Sequence, residues 1–155
     1  MGLSATLLLS LCTTAFAQTL EISKVTVDRG AANIFRIILK PRAERAIAAL
    51  QWDFVYGAGL RIEPSGVVPG AASETVGKSV ICARKPSSGA NDRLTCILAG
   101  GVQALSEGVI AIVRFETAKD APTGEQAVDL EKVVGVSTAL ESIPLQSTRA
   151  SISIQ

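Results

Sequence analysis

Any chemistry in this chain has to come from carboxylates, lysines, serines or cysteines, because its 155 residues include no histidine. That absence removes the commonest general base near neutral pH, the Ser-His-Asp and Cys-His arrangements, and most zinc sites. Carboxylates are scattered at Asp53, Glu63, Glu107, Glu116, Asp129 and Glu131. A glycosidase needs two of them at a set separation across a cleft, and nothing in the sequence places such a pair. Single charges on strands more often belong to a solvated face. Lys78-Ser79 sets an amine beside a hydroxyl with nothing to activate it, and reads more simply as the start of a strand. No loop has the alternating acidic ligands and central glycine of a calcium site. Gly100-Gly101 reads as a turn rather than a phosphate cradle. The expectation is a non-enzyme with no catalytic residue, cofactor or metal.

The three cysteines, Cys12, Cys82 and Cys96, divide by position. Residues 1–17 carry no charge, are rich in Leu, Ala, Ser and Thr, and end in Ala15-Phe16-Ala17. An apolar run closed by an A-x-A site reads as a secretory signal peptide, although Lys and Arg are missing from its start. It is shorter than the roughly 20 residues of a membrane span. Leu11 sits where a lipoprotein would need a small residue before Cys12, so simple secretion is the stronger reading. Cleavage before Gln18 leaves Cys82 and Cys96 as an even pair in a compartment where disulfides persist. Two β-rich runs, 79–84 and 93–99, flank a stretch of turn formers around Gly89. A hairpin centred there sets Cys82 opposite Cys96, close enough for a disulfide. The alternative is two reduced core cysteines. A metal site is the weakest option, since two thiolates alone leave coordination incomplete.

Residues 46–70 organise the rest. Leu50, Trp52, Phe54 and Tyr56 alternate with Ala49, Gln51, Asp53 and Val55. Period two over this length marks a half-buried strand, and the face with the only Trp and Tyr is expected in the core. Further strands are expected over 20–27, 33–39, 60–62, 109–117, 127–136 and 147–154. Phe35, Ile37, Leu39 and Phe115 face inward, and 140–145 is a short extended piece. A polar loop or helical turn is expected over 41–46 and a loop over 71–78. Many short strands, Gly/Pro turns and no clear helical period predict an all-β sandwich forming one domain over 18–155. The net charge of +1 offers no field for nucleic acid or an acidic polymer.

Ile47, Ala48, Trp52, Phe54 and Tyr56, followed by Leu60, Ile62, Pro69 and Gly70, have an order and spacing that resemble the cohesin family. Cohesins are secreted β-sandwich modules of cellulosome scaffolds and related bacterial surface proteins. Lys24-Val25-Thr26-Val27 with Gly30, and Glu107-Gly108 leading to Phe115, resemble other parts of the same module. Gly57 departs from it, standing where the family usually has Asp. The resemblance covers 18–155. It implies an antiparallel jelly-roll sandwich of about nine strands and a non-catalytic module that binds dockerins of polysaccharide-degrading enzymes.

By the same resemblance, the partner lies on the sheet made by the central strand, the hairpin and the later strand. The outward residues there are Ala49, Gln51, Asp53, Val55 and Glu131. The family often has Asn and Asp where Ala49 and Gln51 align, while Glu131 has an acidic counterpart. The expected partner is therefore a dockerin-like or other secreted protein module. The alternatives are an ordinary solvated face or a carbohydrate-binding module acting on polysaccharide directly. The second is disfavoured because alternation turns Phe35, Trp52, Phe54, Tyr56 and Phe115 inward, leaving no stacking platform.

Overall fold

The computed structural model describes residues 18–40, 46–86 and 89–155. The signal-peptide expectation for 1–17, and residues 41–45 of the polar loop or helical turn expected over 41–46, lie outside the described residues.

The strands are β1 (Gln18–Ile22), β2 (Val25–Val27), β3 (Ala32–Lys40), β4 (Ile47–Gly57), β5 (Leu60–Arg61) and β6 (Val67–Pro69). They continue with β7 (Ser79–Lys85), β8 (Asn91–Ala99), β9 (Gly108–Thr117), β10 (Gly124–Ser137), β11 (Ser142–Ser147) and β12 (Ala150–Ile154). Nine of them form a continuous path, β5-β9-β3-β1-β11-β10-β4-β8-β7, and β2, β6 and β12 pair off it. The path curls back on itself to make a sandwich. One layer is β5, β9, β3 and β1; the other is β10, β4, β8 and β7. Between them β11 pairs parallel with β1 and antiparallel with β10.

The inner faces meet where alternation predicts. Leu50, Trp52, Phe54 and Tyr56 are buried, as are Phe35, Ile37, Leu39 and Phe115. Phe35 on β3 meets Phe54 on β4 edge to face with ring centroids 5.9 Å apart, and Phe115 on β9 at 5.7 Å. Trp52 stands perpendicular to Phe54 at 6.1 Å. The Phe35–Phe54 contact crosses from one layer to the other, and the two contacts within the layers extend it into one aromatic core.

Several local readings change; the strand expected over 147–154, for one, begins at Ala150, because Ser142–Ser147 form β11. The single strand expected over 20–27 is two, because its apolar positions switch parity between Ile22 and Val25. β1 pairs with β3, and β2 crosses to pair with β12 in the other layer. The loop expected over 71–78 contains one helical turn, α1 (Ala71–Glu74). It follows Gly70, whose N–H donates to the Ile110 carbonyl at 2.9 Å. A Cβ at Gly70 would collide with the Val109 backbone, so only glycine lets the chain approach β9 this closely. Ser73 on α1 is buried and its hydroxyl donates to the same Ile110 carbonyl at 2.8 Å.

Trp52 has no exposed surface. Trp52→Ala is expected to lower stability by about 3–5 kcal/mol in urea denaturation. A variant that unfolds like the parent would put the wrong face of β4 in the core.

Candidate functional site

β4 is the central strand of its layer, paired antiparallel with β8 on one side and β10 on the other. The β7–β8 hairpin extends this layer to its edge. Register across the four strands sets the outer face in rows. Ser79, Ala99, Ala49 and Val136 form one row; Ile81, Ile97, Gln51 and Val134 form the next. Ala83, Thr95, Asp53 and Glu131 follow, then Lys85, Arg93, Val55 and Asp129. All five outward residues expected from the sequence, Ala49, Gln51, Asp53, Val55 and Glu131, therefore share one face.

They are not equally available. Gln51 and Glu131 are exposed and Ala49 is partly so. Asp53 and Val55 are buried, at 0% and 8% exposure, which corrects their reading as solvent-facing contacts. Asp53 is sealed by its neighbours. Thr95 donates its hydroxyl to Asp53 Oδ1 at 2.5 Å, and Arg93 Nη1 donates to Oδ2 at 3.1 Å. Lys85 Nζ lies 3.4 Å from Oδ1 and Lys132 Nζ 4.0 Å from Oδ2. Arg93 Nη1 also bridges to Glu131 at 2.9 Å. Burial alone would push the Asp53 carboxyl up. The hydrogen bonds from Thr95 and Arg93 and the Lys85 charge outweigh it, holding the carboxyl below its ordinary range.

A bulge completes the face. Between Glu131 and Val134, two residues of β10 oppose one of β4. Without it Glu131 and Val134 would point to opposite sides; with it both face outward and Val133 packs against the core. Lys132, within the bulge, takes a left-handed φ of 50°. The result is a row of large apolar side chains in solvent: Ile81 is 74% exposed, Ile97 48% and Val134 38%.

Beneath Ile81 and Ile97, on the inner side of the hairpin, Cys82 and Cys96 form a disulfide across directly paired positions. This is the pairing expected from the sequence, and it fastens edge strand β7 to β8.

Three of the other sites considered in the sequence resolve into local pairings. Asp129 takes a two-pronged contact from Arg149 at 2.6 and 2.9 Å. Glu63 pairs with Arg61 at 2.8 Å and Arg84 at 3.1 Å. Lys78 is buried and its Nζ donates to the Gly100 carbonyl at 2.6 Å, while Ser79 is exposed. Among the described residues, no three or more Cys, Asp or Glu side chains converge to hold a metal, and no helix is long and apolar enough to cross a membrane.

Sequence reasoning missed Ile81, Ile97, Val134, Lys85, Arg93 and Lys132. Two were within reach: with Cys82 and Cys96 inward, their neighbours Ile81 and Ile97 must face out. Val134 was not, because the bulge that turns it outward contains no glycine or asparagine to announce it.

No family model matches the sequence, and no curated protein is similar to it. Solved structures are similar in fold. The sixth cohesin of scaffoldin B from Acetivibrio cellulolyticus, solved with a Cel5 dockerin mutant, superposes with a TM-score of 0.71 at 15% identity, over 90% of this chain and 100% of that one. The OlpA cohesin from Clostridium thermocellum, solved with a dockerin, gives 0.72 at 13% identity, over 90% and 100%. A non-cellulosomal cohesin from the archaeon Archaeoglobus fulgidus gives 0.66 at 13%, over 90% and 92%. The chain has a cohesin-like β-sandwich fold.

Asp53→Asn removes the charge that Arg93, Lys85 and Lys132 face, and is expected to cost about 1–3 kcal/mol at pH 7. A carboxyl lowered in the folded state contributes stability that is fully present above its unfolded value of about 3.9. That contribution is lost as pH falls through the lower folded value. Denaturation curves from pH 7 to 2 should therefore fall more steeply on the acid side for the parent than for Asp53→Asn; identical slopes would contradict the sealed carboxylate. Cys82→Ser opens a loop with a sequence separation of 14 and should cost up to about 3 kcal/mol. The variant should keep the parent's far-ultraviolet circular dichroism, since the β7–β8 ladder remains.

Proposed function

We propose that the protein is a secreted, non-catalytic module that recognises a protein partner through the outer face of β7, β8, β4 and β10, in the manner of a cohesin with a dockerin. The observation that carries this reading is the exposed row Ile81–Ile97–Gln51–Val134, aliphatic but for Gln51, beside the charged cluster on Asp53. Exposed aliphatic side chains grouped on one sheet face and rimmed by polar residues are a mark of interaction sites. Cohesins of the same fold, solved in complex with dockerins, support the class of partner. A dockerin-like or other secreted protein is the partner proposed, and the link to extracellular polysaccharide degradation follows from that analogy. The disulfide supports export, since such bonds persist in oxidising compartments, and the apolar run ending at Ala17 supplies a route.

Direct polysaccharide binding is the weaker reading. Every aromatic side chain among the described residues, Phe35, Trp52, Phe54, Tyr56 and Phe115, is buried, so none offers a sugar-stacking surface.

The test uses the protein as bait against secreted proteins of its source organism, with Ile97→Arg and Gln51→Arg as matched baits. Both positions are exposed, so circular dichroism should be unchanged. A partner recovered by the parent should bind each variant at least about tenfold more weakly, a loss of about 1.4 kcal/mol. Equal affinity for parent and variants would move the site off this face, and retention on insoluble polysaccharide without a protein partner would favour the carbohydrate reading.

A further inference from the structure

We propose that this face selects a helix that carries an apolar stripe flanked by carboxylates. The proposal rests on the protein-recognition reading above and adds the chemistry of the partner.

Charge is the first argument. Five ionisable side chains cluster here: Lys85, Arg93 and Lys132 against Asp53 and Glu131. Asp53 is sealed from solvent, and Glu131 already holds Arg93. Glu131 stays partly in solvent, so an incoming surface meets that one carboxylate against the Lys85 and Lys132 ammonium groups and the Arg93 guanidinium, a positive excess. Lys85 and Lys132 reach Asp53 only at 3.4 and 4.0 Å, and an ammonium has three donors. Both can turn a donor outward without giving up the cluster, and a carboxylate is the group that complements them.

Lys132 supplies a second argument. It holds a left-handed φ of 50°, a conformation that costs a side chain energy and glycine almost none. The bulge alone would be better served by glycine. Backbone strain of this kind is concentrated at functional positions, and here it carries a charge to the rim of the apolar row.

The ladder settles the partner's backbone. β4, β8 and β10 are each paired on both sides, so inward of the β7 edge the face offers no free N–H or C=O. A segment lying across it has to satisfy its own backbone groups, which a helix does. Ile81 on β7 and Val134 on β10 are three strand spacings apart, about 14 Å. A helix of about ten residues spans that length at about 1.5 Å per residue, with apolar side chains recurring every three or four positions. Its flank then overhangs the lysines. A second copy of this chain would bring like charges together and is disfavoured as the occupant.

The test selects binders from a display library of a three-helix bundle with one helix face randomised. The parent protein should enrich an apolar stripe bordered by Asp or Glu, and those binders should lose affinity for Ile97→Arg. Lys85→Gln and Lys132→Gly should each weaken them by about two- to fivefold, the range of an exposed ion pair, while Lys132→Gly melts no lower than the parent. Selection against Lys85→Glu/Lys132→Glu should enrich Lys or Arg instead. Binders that depend on Ile97 yet carry basic or uncharged flanks would overturn the acidic partner and leave the recognition face standing. Binders indifferent to Ile97→Arg would overturn the face itself. Stronger binding to anionic phosphatidylglycerol vesicles than to any selected helix, or dimerisation abolished by Ile97→Arg, would each replace the proposed occupant.

Discussion

The register of β4 between β8 and β10 is the constraint on which the rest depends. A strand paired on both sides cannot shift by one residue without turning every side chain to the opposite face. In the observed register, Trp52 pairs with Cys96 and Asp53 with both Thr95 and Glu131. A slip would drive Trp52 and Phe54 into solvent and press Asp53 into an apolar interior. The contacts of Phe54 with Phe35 and Trp52, and the inward disulfide on the neighbouring hairpin, all presuppose this one alignment.

Asp53 gives the outer side of that strand its character. A carboxylate with no exposed surface is tolerated only when its lone pairs are filled, and four side chains from β7, β8 and the β10 bulge converge to fill them. The consequence reaches beyond stability. Because the negative charge is sealed and the cations that seal it stay partly in water, the face presents lysines beside an aliphatic row. The chain thus combines a cohesin-like sandwich with an outer surface whose charge is set by a covered aspartate.

The parts legible in the sequence are those governed by period two. Leu50, Trp52, Phe54 and Tyr56 could be turned inward on alternation alone, and Cys82 could be set against Cys96 from the turn between them. What was not legible depends on residues far apart in the chain. The burial of Asp53 needs Lys85, Arg93 and Thr95 to arrive from a hairpin more than thirty residues on, so alternation correctly placed it on the outer face but could not tell that the face is covered there. Val134 was lost for a different reason. Counting from Val128 and Leu130 turns it inward, and only the bulge at Lys132 reverses that count. The split of β1 from β2 was visible in principle, as a change of parity between Ile22 and Val25.

The central claim is that the outer face of β7, β8, β4 and β10 is the recognition surface. Its most direct test is a nuclear magnetic resonance footprint of the isotope-labelled protein, titrated with the partner recovered from the secreted proteins. The account predicts that the largest shifts fall on the methyl groups of Ile81, Ile97 and Val134 and the side-chain amide of Gln51, with the opposite layer unmoved. Shifts confined to β3, β9 and their loops, with those four side chains unchanged, would contradict it.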